Sequence, residues 1–171
     1  MEDLFHNKRI FLNMSEARTA NFVNYLSPLL KSGDALLLSG DVGSGKTFLA
    51  RRIIQKRLVL AQVAVEDIPS PTFTIVQIYD SVLPSIFHVD LYRLSDPNEI
   101  IELGLDEALE SSICLIEWPD RLGPYMPNRY ISIDIQQSES NLDERIIIME
   151  TYGSGWEHII NKFLKKSKDN V

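Results

Sequence analysis

The chain has a single cysteine, Cys114, among its 171 residues, so an intramolecular disulfide is excluded. Cys114 lies in the apolar run Ile113-Cys114-Leu115-Ile116 and reads as a small core residue. Histidines are also few, and no Cys/His cluster has zinc-ligand spacing. No apolar run is long enough to span a bilayer, and Met1 to Asn7 carries acids where a secretory signal carries bases. The expectation is a cytoplasmic protein without membrane contact. A basic excess is missing too. The net charge of -7 does not provide the positive footprint with which a protein clamps nucleic acid on its own. The basic stretch Lys162 to Lys168 reads as a solvated helix end, where lysines suit the helix dipole. Repeats, low-complexity tracts and linkers are absent, and 44% hydrophobic content supports one core. A single domain over residues 1–171 is expected, closed by a basic helix over 156–168.

What the chain does have is Gly40-Asp41-Val42-Gly43-Ser44-Gly45-Lys46-Thr47, which fits the phosphate-binding pattern G-x-x-x-x-G-K-[ST]. Glycines let the backbone turn tightly and bring its N–H groups close to phosphate oxygens. A helix opening at Lys46 points unpaired N–H groups and its positive end at the same anion. Lys46 adds a mobile positive charge for β- and γ-phosphates, and Thr47 a hydroxyl for magnesium. The context agrees. Ala35 to Ser39 is an apolar run suited to a central parallel strand, and Phe48, Leu49, Ile53, Ile54 and Leu58 follow at helical spacing. Nothing matches the guanine-reading pattern N-K-x-D, so ATP is the expected nucleotide, with magnesium.

Elsewhere, Lys8 to Leu12 reads as an edge strand, and Ser15 caps a helix running to about Leu30. Thr72 to Tyr79 reads as a well-covered strand forming a hairpin with Ser85 to Asp90. Ser95 to Glu99 starts a helix that Gly104 ends, and Asp106 to Glu110 forms a short one. Ser112 to Glu117, Tyr130 to Ile135 and Arg145 to Thr151 are further strands. The pattern predicts an α/β fold, a P-loop NTPase-like three-layer sandwich whose mixed central sheet includes hairpin strands.

Magnesium and water need carboxylates near the γ-phosphate, at the C-terminal end of a strand beside the loop strand. Glu117 ends such a strand. It could hold magnesium, directly or through water, or orient the attacking water. Trp118 follows and could pack at the edge, line the site or meet a partner. Asp90 ends another strand and is a candidate for the magnesium shell or for water positioning. His88 shares its strand face and alone reads as an ordinary strand histidine. Arg93 could neutralise phosphate charge or form a surface ion pair. Ser70 and Thr72, among the prolines 69 and 71, could sense a γ-phosphate as switch loops do, or simply form a rigid turn.

Together, GDVGSGKT, SPTFTIV, HVDLYRLSDPNEIIELGLDEAL and CLIEWPDRLG make the chain closely resemble the TsaE family (also called YjeE) over roughly residues 8–151. The resemblance implies an ATPase of bacterial tRNA threonylcarbamoyladenosine synthesis. It implies magnesium ligation by Thr47 and Glu117, a functional acid at Asp90, and a switch-like loop with Ser70 and Thr72. It further implies an active-site aromatic at Trp118, with Glu16 and Arg145 near the adenosine part. The implied partners are TsaB and TsaD, which modify adenosine 37 of tRNAs reading codons that begin with A, so tRNA is met only through the complex. The alternative is a small-molecule kinase of the same loop class. Such kinases usually carry an arginine-rich lid, which this sequence does not display.

Overall fold

The computed structural model describes residues 9–65, 67–139, 141 and 143–168. The N-terminal stretch through Lys8 lies outside them, as do the side chains of 164–168, and with them the expected placement of the tail lysines.

The elements run β1 (Arg9–Met14), α1 (Glu16–Leu26), β2 (Ala35–Ser39), α2 (Lys46–Leu60), β3 (Val76–Tyr79) and β4 (Ile86–Asp90). They continue with α3 (Glu99–Glu102), α4 (Leu105–Ser111), β5 (Ile113–Glu117), β6 (Tyr130–Gln137), β7 (Arg145–Tyr152) and α5 (Glu157–Lys168). The seven strands form one sheet in the order β1-β7-β6-β2-β5-β4-β3. Strands β6, β2, β5 and β4 run parallel at its centre, and the antiparallel pairs β3–β4 and β6–β7 flank them. This is the expected mixed sheet with hairpin strands.

Alternation along the central strands explains the layers. In β2, Leu36 and Leu38 point into a core shared with α1, α2 and α5, whereas Ala35 and Leu37 point into a second core shared with α3 and α4. In β5, Ile113 and Leu115 face the first core, Cys114 and Ile116 the second. A strand covered on both faces must be apolar throughout, and β5 is buried along its whole length. Helix α2 packs Leu49, Ala50, Ile53, Ile54 and Leu58 into the core, while Arg51 and Arg57, half-buried, donate to the carbonyls of Ile68, Ser27 and Leu83, and Arg52 is exposed.

Three expectations need correction. Helix α1 ends at Leu26, because Pro28 turns the next three residues into a 3-10 segment, Ser27–Leu29. The helix expected after Ser95 is shorter than its capping signals suggest and covers only Glu99–Glu102. The stretch expected as a strand from Thr72 becomes one only at Val76, and β3 is an edge strand with Ile78 exposed. Residues 71–74 form a turn instead, closed by the Ile75 N–H donating to the Pro71 carbonyl at 2.6 Å.

Candidate functional site: a glycine-rich loop ringed by acids

The site lies at the C-terminal ends of β2, β5 and β4, where loops of a parallel sheet gather. Ser39 leads out of β2 into the glycine-rich loop. Gly40 has φ 130°, and a Cβ there would collide with the Ile135 carbonyl oxygen. Any larger residue would have to push the loop off β6. Gly45, at φ 114°, forms the N-cap of α2. A Cβ on Gly43 or Gly45 would meet no atom within 4 Å. Those two positions therefore border open space, and glycine is needed there for its backbone conformation.

Two cavities meet at Gly43, Gly45 and Phe48. The first, about 310 Å³, is lined by Lys46, Thr47, Thr72, Asp90, Glu117 and Trp118 among others. The second, about 450 Å³, lies on the other side of the loop and is lined by Met14, Glu16, Thr19, Asp143 and Arg145 among others. The fold thus brings Glu16 and Arg145, far apart in sequence, to one wall. Arg145 also braces the loop, donating from Nε to the Ser44 carbonyl at 3.1 Å. Glu16 pairs with the Arg52 guanidinium at 3.3 Å on an exposed surface, where such a pair contributes little stability. Asp41 and Val42 form the outer turn of the loop, with Val42 76% exposed.

Lys46 is buried. Its Nζ donates to the carbonyls of Gly40 and Asp41, both at 2.7 Å, and sits 4.2 Å from the Trp118 ring centroid. Burial lowers its pKa, and the negative charges of Glu117, Asp90 and Asp41 oppose that shift in decreasing order. The ammonium is held over the loop by neutral carbonyls, with three acids nearby but none among its hydrogen-bond acceptors.

The acids are tied in one by one. Thr47 Oγ1 donates to Glu117 Oε2 at 2.8 Å, joining α2 to the end of β5. Glu117 Oε1 lies 2.9 Å from His88 Nε2 on β4. Asp90 accepts the Thr72 hydroxyl on Oδ2 at 2.6 Å and the Tyr92 N–H on Oδ1 at 3.0 Å. Ser70 Oγ stands 2.8 Å from Thr72 Oγ1. Thr72 spends its one hydrogen on Asp90, so Ser70 donates to Thr72. The 70–75 loop is clamped a second time by the Asp90 N–H donating to the Ile75 carbonyl at 2.9 Å. Ile75 sits at φ 65°, which costs a β-branched residue about 1–2 kcal/mol. One hydrogen bond to a charged group contributes about 1.5–3 kcal/mol, enough to hold it there.

Trp118 also has a left-handed backbone, at φ 59°, with its N–H donating to the Leu38 carbonyl at 3.2 Å. The turn swings its ring back over Lys46 and against Tyr92, at 5.0 Å between centroids. Arg93 points elsewhere, 4.4 Å from the exposed Phe73 ring. Sequence reasoning did not single out Phe48, which lines both cavities, or Tyr92, whose N–H fixes Asp90. It also gave His88 no contact with Glu117. The i, i+2 spacing of His88 and Asp90 was the available signal.

The donor set is hard oxygen: a hydroxyl and carboxylates beside a lysine and an open glycine cradle. Among the described residues no group of three or more His, Cys, Asp or Glu is placed to hold a metal by itself. Magnesium is commonly held by one or two protein oxygens plus phosphate and water, and Thr47 with Glu117 suits that pattern.

A family model described as threonylcarbamoyl adenosine biosynthesis protein TsaE matches residues 13–147. The chain belongs to the TsaE family. It is 41% identical over 130 residues to the tRNA threonylcarbamoyladenosine biosynthesis protein TsaE of Rickettsia bellii, covering 76% of this chain and 87% of that protein. To the protein of the same name from Bacillus subtilis it is 34% identical over 143 residues, covering 82% and 83%. The crystal structure of Bacillus subtilis YdiB superimposes with a TM-score of 0.74 at 23% identity, over 94% of this chain and 97% of that one, which shows the shared fold. In this TsaE-family chain, no helix among the described residues is long and apolar enough to cross a membrane.

Proposed function

We propose that this chain is a magnesium-dependent ATPase that works with TsaB and TsaD to form N6-threonylcarbamoyladenosine at position 37 of tRNAs reading codons that begin with A. The observation that carries the reading is the Thr47–Glu117 contact beside Lys46, at the mouth of an open glycine cradle. Membership of the TsaE family supports the pathway.

In this reading the loop N–H groups and Lys46 take the phosphates, and the second cavity takes the nucleoside, with Glu16 and Arg145 on its wall. Magnesium, when bound, neutralises charge on the β- and γ-phosphate oxygens. Thr47 Oγ1 and Glu117 are the groups that would hold it. Asp90, fixed on both oxygens, is the acid that orients the attacking water. Trp118 and Tyr92 exclude bulk water from one side, which strengthens the electrostatics inside. Ser70 and Thr72 connect Asp90 to a surface loop, so the nucleotide state can reach a partner through Phe73, which is 79% exposed. The acidic net charge suits a protein partner better than direct contact with tRNA. A cytoplasmic location follows from the tRNA substrate of the complex.

The test is phosphate release from ATP, with and without magnesium and with and without purified TsaB and TsaD, together with association in ATP-analogue, ADP and empty states. Slow intrinsic hydrolysis changed by the partners, and association that depends on the nucleotide, is the expected outcome. Equal association in all states with unchanged hydrolysis would favour the kinase reading, and phosphate transfer to a small acceptor would establish it.

A further inference from the structure

We infer that His88 is a positioning residue for Glu117: its Nε2–H holds Oε1 of the carboxylate, which leaves Oε2 turned toward Thr47, these being the two groups that would hold the cation. This rests on the magnesium-nucleotide reading above and adds a residue that the reading does not otherwise use.

The geometry is diagonal across two parallel strands. His88 pairs in register with Leu115, and Asp90 with Glu117, so His88 reaches diagonally two positions along, on the same sheet face, to the Glu117 side chain. The imidazole is fully buried, and its Nε2 lies 2.9 Å from Oε1. Thr47 Oγ1 occupies the other oxygen at 2.8 Å. A carboxylate only accepts hydrogen bonds, so the ring nitrogen facing it carries the hydrogen. Among the described residues, His88 Nδ1 has no partner although it is buried. A bare nitrogen there is cheaper to bury than an N–H without an acceptor, which points to the same Nε2–H tautomer.

The half-satisfied ring argues against a packing role alone. An apolar side chain at 88, between the apolar residues Phe87 and Val89 and opposite Leu115, would fill the space without burying an unpartnered nitrogen. What the imidazole adds is a fixed donor to Glu117. A carboxylate able to rotate presents either oxygen, or both, to a cation; one pinned through Oε1 presents Oε2. Groups that orient a ligating side chain in this way commonly control metal affinity.

The experiment compares wild type, His88→Leu and His88→Gln. Binding of a non-hydrolysable ATP analogue is measured calorimetrically with and without magnesium, and unfolding temperatures are recorded. The ring nitrogens of His88 are read by 15N NMR in nucleotide-free wild type and Glu117→Gln. The wild-type ring should carry its hydrogen on Nε2, with a shift that changes in Glu117→Gln. His88→Leu should keep its magnesium-free affinity within about twofold and lose about tenfold or more of the magnesium enhancement. His88→Gln, whose amide N–H reaches toward the same oxygen, should recover most of it. The inference is overturned by a ring with no hydrogen on Nε2, by wild-type magnesium enhancement in His88→Leu, or by equal loss in both variants. Should His88→Leu not fold, His88→Gln and the ring nitrogens decide. Should wild type show no magnesium enhancement, the magnesium reading itself fails, while the ring nitrogens still judge the contact with Glu117.

Discussion

Asp90 and Glu117 stand directly opposite each other in the parallel register of β4 and β5, both buried and both lining the cavity that contains Lys46. Each is already positioned by hydrogen bonds from outside its own strand, Asp90 by Thr72 and Glu117 by Thr47. The cradle proposed for phosphate, by contrast, is built from loop backbone and Lys46. Hydrolysis should therefore depend on the acids more than binding does. Asp90→Asn and Glu117→Gln are expected to lose about 100-fold or more in the rate of ATP hydrolysis while nucleotide affinity measured without magnesium changes by less than about tenfold. Single-turnover phosphate release set beside equilibrium nucleotide binding checks this. A variant that hydrolyses at the wild-type rate removes that acid from the mechanism.

Lys46→Ala and Thr47→Ala should do the reverse, weakening nucleotide and magnesium handling while leaving the fold standing. Lys46 is buried at a cost in desolvation, and its hydrogen bonds go to two carbonyls of its own loop. Its loss should thus change stability by only about 1 kcal/mol in either direction. Tryptophan emission offers a direct readout. Lys46 Nζ lies 4.2 Å from the Trp118 ring, whereas Trp156 is buried and packs 3.6 Å from the Arg129 guanidinium at the other end of the sheet. A nucleotide that draws Lys46 away should alter Trp118 emission against a constant Trp156 background. No change on titration into wild type would show that Lys46 stays where it is.

Much of this site was legible in the sequence because its signals are local. The loop, its preceding strand and its following helix are contiguous, and glycine spacing carries the geometry. Glu117 and Asp90 were readable as acids at the ends of apolar strands. The order of the strands was not, because it depends on pairings such as Leu38 with Glu117 that no local pattern encodes. The stretch from Thr72 was misread for a related reason. Its alternation suits a strand, but a hydroxyl at 72 finds a buried carboxylate from β4, and that tertiary bond outweighs β-propensity. His88 looked ordinary because its partner is distant in the chain.

At the far end of the sheet, Arg129 secures buried Asp34. It donates to Asp34 Oδ1 at 2.7 Å and to the carbonyls of Gly33 and Ser154, and stacks on Trp156. These contacts join the starts of β2 and β6 to the turn before α5. Arg129→Ala leaves a buried carboxylate with only the Lys31 N–H as a described donor. Arg129 is one-third exposed, so the loss should fall at or below the lower end of the buried-pair range, about 3 kcal/mol. Denaturant unfolding should show that loss, while nucleotide affinity measured well below the midpoint stays at the wild-type value. A stability unchanged within error would mean that Asp34 is satisfied without its partner.

Cys114 gives a prediction with a definite sign. Burial in the core between the sheet and helices α3 and α4 pushes its thiol from 9.0 up to about 12. Below about pH 8 the thiol is protonated in folded and unfolded chains alike, and it adds no pH dependence. Above that, the unfolded chain releases a proton which the folded chain keeps, so stability falls as pH rises, until the folded thiol also ionises near pH 12. Between about pH 8 and 10 the thiol alone should cost about 1.4 kcal/mol. Lysines and tyrosines titrate over the same range, so the comparison is with Cys114→Ala. That variant starts lower because it leaves a small cavity, but its stability should fall less steeply by that amount. The native thiol should also resist alkylation at pH 8 and react only on unfolding. Parallel stability–pH curves for the two proteins, or rapid labelling of the folded chain, would show that Cys114 meets solvent.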